Sequence, residues 1–409
     1  MCTNYNALKL IRHLLTWDAD VAFADAYEKL LVNGALGVQK PGHMGVMSYL
    51  TPLGNGVNRG KFDWWGWGAA DNAFWCCYGT SVETFAKLGD SIFFASGTQP
   101  KTLTVAQYIA SNLTWRDAGL AVTQTATYTA DASALQANLT FSALDATAGG
   151  GGATRLRLRI PPWAVLSRTR VDVTPAEDSG RKVASAGWYE IQVAPGTEVR
   201  VILGMGAHLA KLNDNRTEFA TVHAMMWGPI VLAGLTSREN ALDADPADVG
   251  NWLTPVSTEQ TTERAETEGK YEWRMGALAR GDDLGTQQNA TLAQAEAHCD
   301  ALGERCTGFS YAGPRNLQGG ATMLFKADTA GNRSGWDLDK SWSSWLKIEA
   351  PPPNIGRVLR FVAKGRDRSF EMLPLNRIVD QDYAIHFNLT GSANKMGKSD
   401  DEAAVPIQV

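Results

Sequence analysis

The chain has little cysteine: five residues in 409. That is too sparse for a fold stapled together by disulfides, so the core must come from apolar side chains. Positive charge is not in surplus either. Lys and Arg number 38 against 43 Asp and Glu, a net charge of -5, and no basic field points to nucleic acid. Long apolar runs are missing. The longest, His223 to Leu235, is too short to cross a bilayer and is broken by Gly228-Pro229. There is no internal repeat. The first residues show no basic stretch followed by an apolar one, as a secretory leader would. They enter a helix face at once (MCTNYNALKLIRHLLTW), which predicts further domain sequence upstream.

What the chain does have is 40 Gly and 14 Trp. That pairing suggests a turn-rich β protein, or one that stacks aromatic rings on flat ligands such as sugars. At 44% hydrophobic and 20% charged residues the composition is that of an ordinary globular protein, and the length suggests roughly two to four domains.

Leu8, Ile11, Leu14 and Leu15 recur at helical spacing and predict a first helix. Asp18 and Asp20 break the pattern and can cap a second, whose apolar face is Val21, Phe23, Tyr27, Leu30 and Leu31 and which Gly34 and Gly37 end. Residues 40–75 are rich in Gly and Pro and read as loop, and a third helix is expected over Ser81 to Leu88. From about Asp90 the period changes to two. Strands are expected at Ile92–Ala95, Thr104–Ile109, Leu120–Thr127, Ala137–Ser142, Thr154–Ile160, Trp188–Val193 and Thr197–Leu203, with GGGG at 149–152 as a loop tip. Short strands at near-regular spacing predict a β-sandwich. A strand pair follows around Ala220 to Leu232. Residues 236–285 lose periodicity and read as surface and linker, and 286–350 as a separate small module with a helix at Leu292–Leu302. The stretch Arg357–Asn388 is strand-like again.

The strongest local signal for chemistry is Phe74-Trp75-Cys76-Cys77-Tyr78-Gly79-Thr80. Adjacent cysteines can be core thiols, partners in separate disulfides, or two ligands of one metal. With Cys2 they make three soft ligands, one short of a closed tetrahedral zinc site. His13 and His43 are available as a fourth, but nothing in their spacing selects them. A metal-bound thiol is deprotonated, and the thiolate is the nucleophilic form. Upstream, Asp63-Trp64-Trp65-Gly66-Trp67-Gly68 reads either as an aromatic wall for sugar faces or as Trp packed at a domain junction. Glu83 follows Cys77 on the expected third helix and suits a capping or structural role. Cys299 and Cys306 stand apart from the others and are expected to pair, which implies an oxidising compartment. Six Asn-x-Ser/Thr sequons, at Asn112, Asn138, Asn215, Asn289, Asn332 and Asn388, agree with that.

TNYNALKLIRHLLTW, AFADAYEKLLVNGALGVQ, GVMSYLTPLG, FWCCYGTSVETFAKLGDSIFF, LRLRIPPWA, WGPIVLAG and FEMLPLNRIVDQDYAIHFN together resemble glycoside hydrolase family 127, the β-L-arabinofuranosidases, plant-type members above all. The resemblance covers roughly residues 2–235 and 357–388. It implies an (α/α)6 (six-hairpin) barrel followed by β-sandwich domains. The expected fold class is therefore mixed and mainly β: residues 1–95 a C-terminal remnant of the barrel, 96–205 one β-sandwich, 206–285 with 351–395 a second, and 286–350 an inserted small α+β module. It also implies retaining hydrolysis of β-L-arabinofuranosides by a zinc-bound cysteine thiolate. Carried over residue by residue, Cys76 is the nucleophile, and Cys2, Cys76 and Cys77 lie around the zinc. The family's Glu-x-Cys motif meets this chain at Cys2, so its Glu falls before Met1, and the acid/base Glu further upstream still. Hydrolysis by this chain is therefore expected to be weak or absent. The module at 286–350 lies outside the family pattern and loosely resembles an apple/PAN-like fold.

Two functional expectations follow. The first is an enzyme-like protein acting on an L-arabinofuranose-containing glycan or glycoprotein in the secretory pathway. The second is a non-catalytic carbohydrate-binding or adhesion protein built from the β domains. Neither calls for nucleic acid or a membrane span.

Overall fold

The computed structural model describes residues 2–41, 45–60, 66–69, 73–97, 100–129, 131–144, 154–175, 181–256, 271–275, 277–278, 283–314, 317–327, 341–347 and 359–391. The fold is mainly β and divides into two compact units, Met1–Val256 with Val358–Val409, and Ser257–Arg357. The Gly tip at 149–152 lies outside the described residues.

The first unit opens with a helical hairpin, α1 (Cys2–Asp18) and α2 (Val21–Leu30). Asp20 caps α2 by accepting a hydrogen bond from the Ala22 amide at 2.9 Å, the usual way a helix start satisfies a free donor. Tyr5, Leu8 and Leu15 of α1 and Ala24 and Tyr27 of α2 are buried. Gly34 and Gly37 do not simply end α2: Leu31–Ala35 forms a π-helical turn and Leu36–Val38 a 3-10 turn. The third helix, α3, spans Cys77–Ala86 and so begins four residues before the expected start at Ser81. The apolar period starts late because the first turn is built on the thiol and on Tyr78, whose burial a helical pattern search does not count.

Ten strands follow. A four-stranded sheet has the order β1 (Phe93–Ser96), β2 (Thr102–Val105), β6 (Thr154–Ile160), β9 (Gly187–Val193), with β2 and β6 parallel. A six-stranded antiparallel sheet has the order β3 (Ser111–Trp115), β4 (Leu120–Tyr128), β5 (Ala134–Ala143), β10 (Glu198–Gly204), β7 (Arg170–Thr174), β8 (Arg181–Lys182). Leu103, Leu156 and Leu158 from the first sheet and Leu120, Leu139 and Val201 from the second share one apolar core. Each such side chain contributes roughly 1.5–3 kcal/mol by leaving water. Strands β3 and β7 were not anticipated. Both are short and alternate polar residues outward, so they carry little apolar signal.

The third sheet holds β11 (Ala207–Lys211), β12 (Val222–Trp227) and β13 (Ile230–Leu235) beside the late strands Phe361–Lys364, Ser369–Pro374, Tyr383–Ala384 and His386–Leu389. The long apolar run resolves into a hairpin. Trp227 pairs with Ile230 across Gly228-Pro229, and Gly228 takes φ 55°, a turn position that needs glycine. No described helix is long and apolar enough to cross a membrane.

In the second unit a five-stranded antiparallel sheet runs in the order Tyr271–Met275, Trp342–Lys347, Gly308–Ala312, Ala321–Lys326, Asp283–Ala290. Tyr271–Met275 falls in the stretch read as surface and linker although YEWRM alternates apolar and polar residues; Asp283–Ala290 begins at the end of that stretch, and its sequence (DLGTQQNA) lacks apolar alternation. The helix Leu292–Ala301 starts on a capping box between Thr291 and Gln294. Cys299 and Cys306 form a disulfide within a buried core that includes Phe309, Tyr311 and Phe325. Closing so short a loop is worth about 2–3 kcal/mol in the chain-entropy picture. Cys306→Ser should lower the stability of this unit by that amount, read as an earlier calorimetric transition of the full chain.

Candidate functional site

The first residue of α1 and the first residue of α3 meet. Cys2 Sγ lies 2.9 Å from Cys77 Sγ and 3.3 Å from Thr80 Oγ1. Cys76 completes a cluster in which the three sulfurs lie within 4.8 Å of one another. Cys77 is buried, Cys2 half-buried and Cys76 exposed.

The local chain explains this arrangement. Cys76 adopts φ 45°, ψ -118°, a conformation L-residues rarely take. It sits in a tight turn closed by the Tyr78 amide donating to the Trp75 carbonyl at 3.2 Å. The Cys76 carbonyl then accepts the first bond of α3, from the Thr80 amide at 3.0 Å, and a second from Thr80 Oγ1 at 3.1 Å. The strained residue is thus held from both sides, as strain at a functional position requires. It stands immediately before the first residue of a ten-residue helix.

Gly79 is part of the same device. A Cβ at this position would lie 2.4 Å from the Phe74 carbonyl oxygen, so only glycine lets the turn fold back on α3. Gly79→Ala should cost about 1–3 kcal/mol and slow the alkylation of Cys76 by iodoacetamide as the turn opens. Thermal denaturation and timed peptide mapping read the two effects.

Under the thiols lie Val38, Met47, Tyr49, Ala73 and Tyr78. Tyr78 packs edge-on against Tyr49 and Trp75, at 5.2 and 5.1 Å, and donates to the Gly66 carbonyl at 2.9 Å. The Tyr49 phenol is held well above its usual pKa, first by its hydrogen bond with Cys76, then by burial and the charges of Cys77 and Cys76. It therefore keeps its proton beside the sulfur. Burial resists ionisation of Cys77, but hydrogen bonds from the Cys2 side chain and backbone outweigh it and bring its pKa below the ordinary thiol value. Cys2 moves the other way, chiefly through its bond with Cys77.

The donor set fits zinc. Three thiol sulfurs converge, and Zn–S bonds of about 2.3 Å place tetrahedral sulfurs roughly 3.8 Å apart. The separations here bracket that value. Among the described residues no His, Asp or Glu joins the group. His13 is exposed on α1 and stacks on Trp17 at 5.9 Å. His43 lies outside the described residues, as do Trp64 and Trp65. Glu83 is exposed on α3, where its charge acts on Lys87.

Trp67 is described, and it is engaged. Its indole N–H donates to the Val379 carbonyl at 3.2 Å and to Asp380 at 3.1 Å, and Arg59 and Lys40 lie over its ring at 5.6 and 5.7 Å. Packing accounts for Trp67 better than an open sugar wall does. Phe74 and Trp75, 56% and 54% exposed, instead flank Cys76. Sequence reasoning overlooked them as a surface, and also Tyr49. The signal for the first two was their adjacency to the cysteines.

Residues 1–90 match the catalytic domain of β-L-arabinofuranosidase family GH127, and residues 102–205 match its middle domain. Over these segments the chain is similar to family GH127. All three clustered thiols lie in the GH127 catalytic match, and β2 to β10 in the middle-domain match. Similar solved structures include a glycoside hydrolase (TM-score 0.50, 14% identity, covering 95% of this chain and 52% of that one). Others are a GH127 β-L-arabinofuranosidase from Geobacillus stearothermophilus T6 (0.48, 14%, 94% and 49%) and a GH127 β-arabinofuranosidase (0.49, 13%, 95% and 49%). The chain spans about half the length of these structures, and at such identity a likeness bears on fold alone. No curated protein sequence matches it.

Proposed function

We propose that this chain carries the nucleophile side of a retaining β-L-arabinofuranosidase site, with Cys76 as the nucleophile. The observation that supports the reading best is the exposed thiol at a strained helix start, within 4.8 Å of two other thiols. Cys2, Cys76 and Cys77 would hold zinc, which keeps thiols deprotonated when bound. In the proposed reaction Cys76 Sγ attacks the anomeric carbon, the bond to the leaving oxygen breaks, and water later displaces the sulfur, so configuration is retained overall. Tyr49 orients Cys76 by its hydrogen bond, and Phe74 and Trp75 offer ring surface to the sugar.

The leaving oxygen needs a proton, and no described carboxyl group lies within the thiol cluster. We therefore infer that hydrolysis by this chain alone is weak or absent, while attack by the Cys76 sulfur on an activated anomeric carbon remains within its means. An assay of the zinc-loaded chain on an activated aryl β-L-arabinofuranoside separates these steps. The expected result is, at most, one equivalent of aryl alcohol released without sustained turnover. Robust turnover with no partner chain would overturn the impairment.

The barrel assignment of the helices around α1 to α3, an L-arabinofuranose-containing glycan as partner, and residence in the secretory pathway are parts of the same proposal. The Cys299–Cys306 disulfide supports the last of these. The second unit would serve as a PAN-like accessory that binds protein or carbohydrate.

A further inference from the structure

Five of the six Asn-x-Ser/Thr sequons fall on described residues, and the structure treats them unequally. We propose that Asn112, Asn138, Asn215 and Asn289 are acceptors for N-linked glycans and that Asn388 is not.

The two sequons on strands carry the argument furthest. Asn112-Leu113-Thr114 lies on β3 and Asn138-Leu139-Thr140 on β5. Strand side chains alternate faces, so in each sequon the Asn and Thr point outward while the Leu points to the core. Asn112, Thr114, Asn138 and Thr140 are exposed, and Leu139 is fully buried. The register places Asn112 beside Thr123, Thr123 beside Thr140, and Thr125 beside Asn138. Both acceptors thus stand on one face of the six-stranded sheet, two strands apart. Its exposed members include Thr123, Thr125 and Arg200, a polar surface with no apolar stripe for a protein partner. Two glycans rooted there would cover it. β3 is also the edge strand of that sheet, and a glycan at Asn112 would hinder another chain from pairing along it.

Asn215 is exposed in the loop after β11, between Asp214 and Arg216, which pair with each other and leave it free to project. Asn289 sits at a register break in its strand with φ 52°, and its side chain is exposed. Asn388 differs. It is half-buried, on a strand flanked on both sides in its sheet, and its Oδ1 accepts from Thr221 Oγ1 at 2.6 Å. A glycan on its Nδ2 would have to leave the sheet from this half-buried position between two paired strands. The disulfide in the second unit is an independent sign of the oxidising compartment where such transfer occurs. The donor is a polyprenyl-diphosphate oligosaccharide. The anomeric C1–O bond to diphosphate breaks, C1 joins Asn Nδ2, one amide proton is lost, and the polyprenyl diphosphate leaves with the electron pair.

The test uses the unaltered full chain, secreted from a eukaryotic cell line behind a heterologous leader and shown by peptide mapping to keep Cys299–Cys306 joined. Peptide-N-glycosidase in 18O-water turns each glycosylated Asn into labelled Asp. The expected map shows label at residues 112, 138, 215 and 289 and none at 388. Absence of label at any of the four, or label at Asn388, overturns the assignment.

Discussion

Arg159→Met is expected to destabilise the first unit by about 3–5 kcal/mol, the usual cost of leaving buried carboxylates without their cation. Arg159 is fully buried. Its Nη2 donates to Glu28 Oε1 at 2.5 Å, its Nη1 to Asp25 Oδ1 at 2.8 Å, and its Nε to the Ala106 carbonyl at 2.7 Å. Glu28 also accepts from the Trp163 indole at 2.6 Å. One guanidinium on β6 therefore ties α2, which precedes the cysteine turn, to the sheets. Methionine keeps most of the volume and none of the donors. Burial already raises the Asp25 pKa even with Arg159 beside it. Without Arg159 the folded Asp25 carboxyl would hold its proton still more tightly than the unfolded chain does. The deficit should then be largest above the folded pKa of Asp25 and shrink as the pH falls through it. Urea denaturation at several pH values measures this. Arg216→Ala, at an exposed pair with Asp214, should change little. A neutral Arg159→Met would show that the network does not hold the helices.

Cys77→Ser is expected to lower zinc affinity by roughly 100- to 1000-fold, since one thiolate is a sizeable share of the about 10–16 kcal/mol of a structural zinc site. Cys2→Ser should do the same, because its sulfur touches that of Cys77. Competition against a chromophoric chelator, with metal analysis of dialysed protein, gives the numbers. Cys306→Ser serves as the control, lying in the other unit, and should leave zinc binding unchanged. Equal zinc affinity in Cys77→Ser and the unaltered chain would remove the metal from the account.

The contrast between these two sites shows what the sequence makes legible. The thiol cluster was visible because FWCCYGT is rare and local, and because TNYNALKL carries Cys2 into register with it by resemblance. Spacing alone left the cysteines with several readings; contact between residues 2 and 77 is a tertiary fact. The Arg159 network could not be read at all. In TRLRLRI the period of two puts Arg155, Arg157 and Arg159 on one outward face. The first two are indeed partly exposed, but α2 covers the third. Strand periodicity tells which side a residue faces, not what lies on that side. The aromatic run meets a similar limit: the indole of Trp67 is used by Asp380, over three hundred residues away in sequence, while Trp75 stays open beside the thiol. Strands such as Asp283–Ala290 escaped notice because their pairing partners, not their own alternation, define them.

The central claim is that Cys76 is the group that attacks sugar. The direct measurement is peptide mapping of the zinc-loaded chain after exposure to an L-arabinofuranosyl reagent with an electrophile at the anomeric substituent. The account predicts one adduct per chain, on Cys76, with Cys2 and Cys77 unmodified and no adduct in Cys76→Ser. A zinc-loaded chain whose Cys76 stays unmodified, or one labelled equally on all three thiols, would contradict it.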